Sequence, residues 1–191
     1  MTERNFVTIV SGLPRSGTSM LMQMVHAGGL PAVTDGERVA DADNPRGYFE
    51  FERVKALRTD KGWLDEAEGK VVKVIHMLLP ELPDDREYRV VFVERDLDEV
   101  VASQQTMLAR LGKPGGALPP ERLKAAFGAQ LQQVSAVLAG RPRTAVLRIA
   151  YKEVIADPVG AAARIDEFLS GGLDRAAMAG SVDAGLYRNR R

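Results

Sequence analysis

Apolar residues along this chain gather into a few dense blocks, separated by amphipathic stretches and polar breaks. FVTIV (6–10), KVVKVIH (70–76), YRVVFVE (88–94) and TAVLRI (144–149) are short, rich in β-branched residues and nearly unbroken. Runs of that kind predict strands buried on both faces, as in a parallel sheet. Between them, residues 17–27, 51–59, 97–111, 121–138 and 158–169 predict helical segments. Gly28-Gly29 stops the first, and Pro120 stands just before the first turn of the fourth. Residues 30–47 and 112–120 are broken by glycine, proline and polar residues and predict loops. Strands alternating with helices predict an α/β architecture of three layers, a mostly parallel central sheet flanked by helices. No internal repeat or linker divides the chain, so residues 1–191 are expected to form a single domain.

Composition narrows the function. The 26 basic and 26 acidic residues cancel, so no global charge points to nucleic acid, and an anion site must come from local clustering. With no cysteine there is no disulfide, thiolate metal site or cysteine nucleophile. The apolar start of the chain is too short for a signal peptide or membrane span, and a cytoplasmic location is expected.

The chemistry begins directly after the first apolar run, at SGLPRSGTSM (11–20). A strand, a glycine-bearing turn and a helix N-terminus together offer unpaired N–H groups and the positive end of a helix dipole to an anion. The loop adds Arg15, Ser16, Thr18 and Ser19 around Gly17. A nucleoside triphosphatase carries lysine after the second glycine, where this chain has Thr18. The arginine inside the loop suits a smaller anionic group, gripped by a planar fork of donors.

Pro14-Arg15-Ser16-Gly17-Thr18-Ser19 resembles the 5′-phosphosulfate loop of the sulfotransferases, in the arginine form found in tyrosylprotein sulfotransferases and small bacterial members. Three further stretches follow in that family's order. VVFVERDLDEVVASQ places Arg95 at a strand end and Ser103 eight residues on, the family's spacing for the donor's 3′-phosphate. Read alone, Arg95 equally suits a surface ion pair with Asp96 or Asp98, and Ser103 a solvated helix position. RIAYKEVIADP places Tyr151 where the family has a strand-end tyrosine beside the nucleotide, although an ordinary core tyrosine fits as well. KVIHMLLPELP resembles the family's Lys-Thr-His strand end, but Lys73 and His76 are three residues apart instead of two. The family's basic Arg-Lys-Gly segment is absent, and the tail arginines Arg188, Arg190 and Arg191 offer a substitute.

The resemblance implies a three-layer P-loop fold and a 3′-phosphoadenosine 5′-phosphosulfate (PAPS) co-substrate. The sulfonyl group would pass to a hydroxyl or amine acceptor without a metal. It assigns nucleotide binding to Arg15, Ser16, Gly17, Thr18, Ser19, Arg95, Ser103 and Tyr151, and makes Arg15 catalytic on the departing phosphate. The general base is either Glu37, near the position of the glutamate in tyrosylprotein sulfotransferases, or His76, read as ending a strand at the site's edge. A small-molecule P-loop kinase and a non-catalytic nucleotide-binding module stay open as alternatives. The expected partner is a small-molecule or peptide acceptor rather than nucleic acid or membrane. The chain is short for the family, which leaves room for a second subunit of a homo-oligomer to complete the acceptor pocket.

Overall fold

A computed structural model describes residues 4–36, 47–110, 112 and 118–186. Four parallel strands, β1 (Val7–Gly12), β2 (Val71–Lys73), β3 (Tyr88–Glu94) and β4 (Thr144–Ala150), form one sheet in the order β2-β1-β3-β4. Alternation along β1 and β3 supplies both faces. Val10, Val91 and Val93 pack with α1 (Thr18–Ala27), α5 (Pro158–Phe168) and α6 (Arg175–Gly180). Val7, Ile9, Tyr88, Val90 and Phe92 pack on the other side with Trp63, Leu64 and two residues of α3 (Pro120–Ala139), Val134 and Leu138. The expected three-layer α/β fold is therefore present.

Every expected strand forms, but β2 ends at Lys73 rather than 76. It pairs with β1 only from Val71 to Lys73, while β1 runs on to Gly12 in its pairing with β3. Val74 donates one last bond to the Val10 carbonyl (3.1 Å), and the chain then enters a 3₁₀ turn at His76–Glu81. The outer edge of β2 is covered: Val71 donates to the Pro31 carbonyl and Val33 donates to the Val71 carbonyl. Expected helix 51–59 is a 3₁₀ turn at Glu52–Ala56. Two short helices, α4 (Tyr151–Ala156) and α6, were not legible, being below the length at which periodicity speaks.

The strand order decides where a ligand goes. From β1 the chain crosses to β2 on one side, and β3 then lies on the other. A crevice therefore opens at the carboxyl end of β1, the switch point at which open α/β sheets bind ligands. The loop 12–19 occupies that point.

Candidate functional site

Two glycines shape the loop. A Cβ on Gly12 would meet the Val93 carbonyl at 2.8 Å, so only glycine lets the loop leave β1 this close to β3. Gly17 has φ 111° and its missing Cβ would lie 2.4 Å from the ring of Tyr151. Arg15 also adopts a left-handed φ of 68°, which costs a non-glycine residue on the order of 1 kcal/mol. Such strain persists where surrounding contacts hold it, commonly at ligand sites.

Helix α1 makes its first internal bond from Leu21 to the Gly17 carbonyl at 3.2 Å, leaving the N–H groups of Thr18, Ser19 and Met20 unclaimed by the helix ladder. No acidic residue stands in its first turn. That end of α1 is chemically fit for an anion. Ser16 requires a correction as a hydroxyl ligand. It is buried, its Oγ donates to the Leu13 carbonyl (2.7 Å), and its N–H bonds the same oxygen. Ser16 braces the loop from behind, while Gly17, Thr18 and Ser19 line the cavity.

Arg15, Arg95, Ser103 and Tyr151 come together around this loop. Asp96 Oδ1 accepts the N–H groups of Asp98 and Glu99, which starts α2 (Leu97–Arg110) immediately after Arg95. Arg95 stands just before the helix and pairs with Glu99, which shares a face of α2 with Ser103 four residues on. Arg95 Nε donates to Glu99 at 2.9 Å, Nη1 donates to the Arg15 carbonyl at 3.1 Å, and its guanidinium lies 4.5 Å from the Tyr151 ring centroid. Arg15 Nε donates to Ser103 Oγ at 3.1 Å. Arg95 is thus in an ion pair, but with Glu99 rather than Asp96 or Asp98, and the pair is buried. Asp98 instead binds Lys124.

The cavity has a volume of about 700 Å³. Its cations are Arg15, Lys55, Lys73, Arg95 and Arg110, against the carboxylates Glu50 and Asp183 among the described residues. A chain of zero net charge therefore concentrates positive charge at the end of β1. Sequence reading missed Lys73, Glu50 and Arg110 as cavity residues, and Glu99 as the partner of Arg95. Glu99 had a local signal in its (i, i+4) relation to Arg95, and Arg110 in lying seven residues after Ser103 on α2; Lys73 and Glu50 reach the site through pairing of distant segments. Among the described residues no cluster of His, Asp and Glu suited to a metal occurs, and no helix is long and apolar enough to cross a membrane.

The two expected bases fare differently. Glu37 lies outside the described residues, as do Arg188, Arg190 and Arg191. His76 does not end a strand at the site's edge. It opens the 3₁₀ turn, is buried, and donates from Nε2 to Gln130 Oε1 of α3 at 3.0 Å, away from the cavity lining. The physical reason is the early end of β2, which swings the histidine under α3. Burial lowers its pKa, opposed in part by Gln130 and the Gly12 backbone. A histidine held neutral by the fold makes stability fall as pH drops below its ordinary value of about 6.5, because only the unfolded chain gains the proton. Urea midpoints measured from about pH 7 to 5 should therefore decline less in His76→Gln than in the wild type. Parallel declines would show that the buried imidazole does not resist protonation.

A family model for the sulfotransferase domain matches residues 7–184. Among solved structures, the chain is similar to the sulfotransferase domain of the curacin biosynthetic pathway (15% identity, 97% of this chain and 90% of that one, TM-score 0.56). It is also similar to a mouse sulfotransferase complexed with PAP (15% identity, 97% and 64%, TM-score 0.57). A third is retinol dehydratase in complex with androsterone and the inactive cofactor PAP (17% identity, 98% and 66%, TM-score 0.54). At these identities the likeness concerns the fold. No curated protein matches by sequence. The family match spans the anion loop, the Arg95–Ser103 helix and Tyr151 alike, and the chain belongs to the sulfotransferase domain family.

Proposed function

We propose that this sulfotransferase moves a sulfonyl group from PAPS to the hydroxyl or amine of a small acceptor. One observation carries the reading. The anion loop and the Arg95–Ser103 helix, far apart in sequence, are tied to each other through Arg15 at the mouth of one cationic cavity. In this reading the N–H groups at the start of α1, with Thr18 and Ser19, hold the 5′-phosphosulfate. Arg15 stabilises charge on the departing phosphate, and Arg95 with Ser103 receives the 3′-phosphate. The Tyr151 ring, already stacked on Arg95, borders the nucleotide. Arginines supply the cations, so no metal is needed.

The cavity wall at Tyr48, Phe51, Val54, Ile75 and Leu78 suits an apolar or aromatic alcohol, the class to which the androsterone bound by retinol dehydratase belongs. A cytoplasmic location goes with this reading. Among the two bases expected from sequence, Glu37 keeps its candidacy, and it is tested below beside a second carboxylate.

Thermal melting tests the donor. Adenosine 3′,5′-bisphosphate should raise Tm, because a ligand selective for the folded chain stabilises it by about 2.7 kcal/mol at a hundredfold excess over Kd. ATP with magnesium should not. Stabilisation by ATP–magnesium alone would transfer the loop to a kinase. Arg95→Ala should then weaken adenosine 3′,5′-bisphosphate much more than adenosine 5′-phosphate in calorimetry, through loss of a charge-assisted contact. Equal losses would remove Arg95 from the 3′-phosphate.

A further inference from the structure

We infer that Glu50 is the general base that takes the proton from the acceptor, an assignment that rests on the sulfotransfer reading. A base must share the cavity with the transferred group. Among the described residues that line it, the carboxylates are Glu50 and Asp183. Asp183 Oδ1 accepts the Gly185 N–H at 2.9 Å, which ties it to the last turn of the described chain. His76 faces Gln130 under α3.

Glu50 is positioned from both of its ends. Its carbonyl accepts the Thr34 hydroxyl at 2.8 Å and the Asp35 N–H at 3.3 Å, fixing its backbone beside the segment that covers β2. Its Oε1 lies 3.7 Å from Lys73 Nζ. Lys73 is nearly buried, donates to the Tyr48 carbonyl, and stands in register with Val10, two residues before the end of β1. The ion pair therefore brings a carboxylate to the sheet end from which loop 12–19 departs. Its side chain is 29% exposed, enough to be reached by an acceptor from the cavity.

The step balances without any co-reactant beyond PAPS. The acceptor oxygen forms a bond to sulfur as the bond from sulfur to the bridging oxygen breaks. The electron pair of that bond leaves on the 5′-phosphate, beside Arg15. The acceptor proton passes to Glu50 and from there to solvent. The products are a sulfate ester and adenosine 3′,5′-bisphosphate.

The experiment compares wild type, Glu50→Gln, Glu50→Asp and Glu37→Gln, with PAPS and a series of phenols from phenol to 4-nitrophenol. Adenosine 3′,5′-bisphosphate binding is measured beside it by calorimetry. Glu50→Gln should bind the nucleotide as the wild type does, yet transfer to phenol about a hundredfold or more slowly. That deficit should shrink toward 4-nitrophenol, since an acidic hydroxyl needs less help in losing its proton. Glu50→Asp should recover part of the rate. A purely structural role would slow all phenols equally and would overturn the assignment. So would near wild-type rates in Glu50→Gln, or an acidity-dependent deficit in Glu37→Gln alone. Wild-type chain that binds the nucleotide but transfers to no phenol also overturns it, because there is then no transfer to assist. Failure of the wild type to bind the nucleotude at all marks the fall of the PAPS reading itself, and the base goes with it.

Discussion

Arg15→Ala should lower turnover on the order of a hundredfold or more while weakening nucleotide binding far less. The guanidinium is anchored on Ser103 and lines the cavity, where the proposed reading has the leaving phosphate collect charge. An interaction that strengthens as the transition state forms is lost mainly from kcat and only slightly from binding. Arg15→Lys should recover part of the rate, since lysine keeps the charge but not the two-pronged geometry that reaches Ser103 and the phosphate together. Ser103→Ala should cost less than Arg15→Ala, because it removes an anchor rather than the charge. Addition of a chelator should leave the rate nearly unchanged. Inhibition by a chelator that magnesium reverses would refute the arginine as the cation of this loop. A loss confined to nucleotide affinity would make Arg15 a binding residue only.

Gly17→Ala should have the largest effect on folding. Its φ of 111° is a conformation that alanine adopts only with strain, and the added Cβ would lie 2.4 Å from the Tyr151 ring. Backbone strain and overpacking together cost on the order of 3 kcal/mol, which lowers Tm by roughly 6–12 °C in a chain of this size. The ring cannot retreat cheaply, because Tyr151 is buried and stacks on Arg95. Nucleotide affinity should fall as well, since loop and ring border one cavity. Adding Tyr151→Leu should relieve the overpacking and restore part of Tm, whereas the strain stays. A Gly17→Ala chain that melts with the wild type would show that the loop relaxes without the contact that fixes it here.

These two residues also show how the site uses its buried pair. Arg95 and Glu99 are both nearly buried, and such a pair is weak evidence for stability because each charge has lost its water. Its value here is directional. Glu99 occupies Nε, the Arg15 carbonyl occupies Nη1, and Tyr151 covers one face, so the guanidinium has one orientation rather than many.

How much of this was legible follows from the range of the interactions. Residues 88–94 form β3 and residues 97–110 form α2 as expected, because apolar runs and helical periodicity are local properties. The anion loop was legible for the same reason: strand, glycine and helix start are contiguous in sequence. The Arg95–Ser103 spacing was legible because Arg95 directly follows β3 and Ser103 lies about two turns into the helix that comes next. The sequence alone thus determined the fold class and the glycine-bearing loop, and it set Arg95 and Ser103 close enough along the chain to meet beside that loop. Tertiary structure decided the rest. Whether Ser16 faced an anion or the Leu13 carbonyl depended on how tightly the loop folds against β3. His76 was carried under α3 because the chain leaves β2 after Lys73 and enters the 3₁₀ turn at His76–Glu81, where its ring meets Gln130. Glu50 is held at the cavity by the bonds of its carbonyl to Thr34 and Asp35 and by its ion pair with Lys73, which is 23 residues further along the chain and placed by its register with Val10. Pairings of that kind are fixed by packing among distant segments, and no local pattern of polar and apolar residues encodes them.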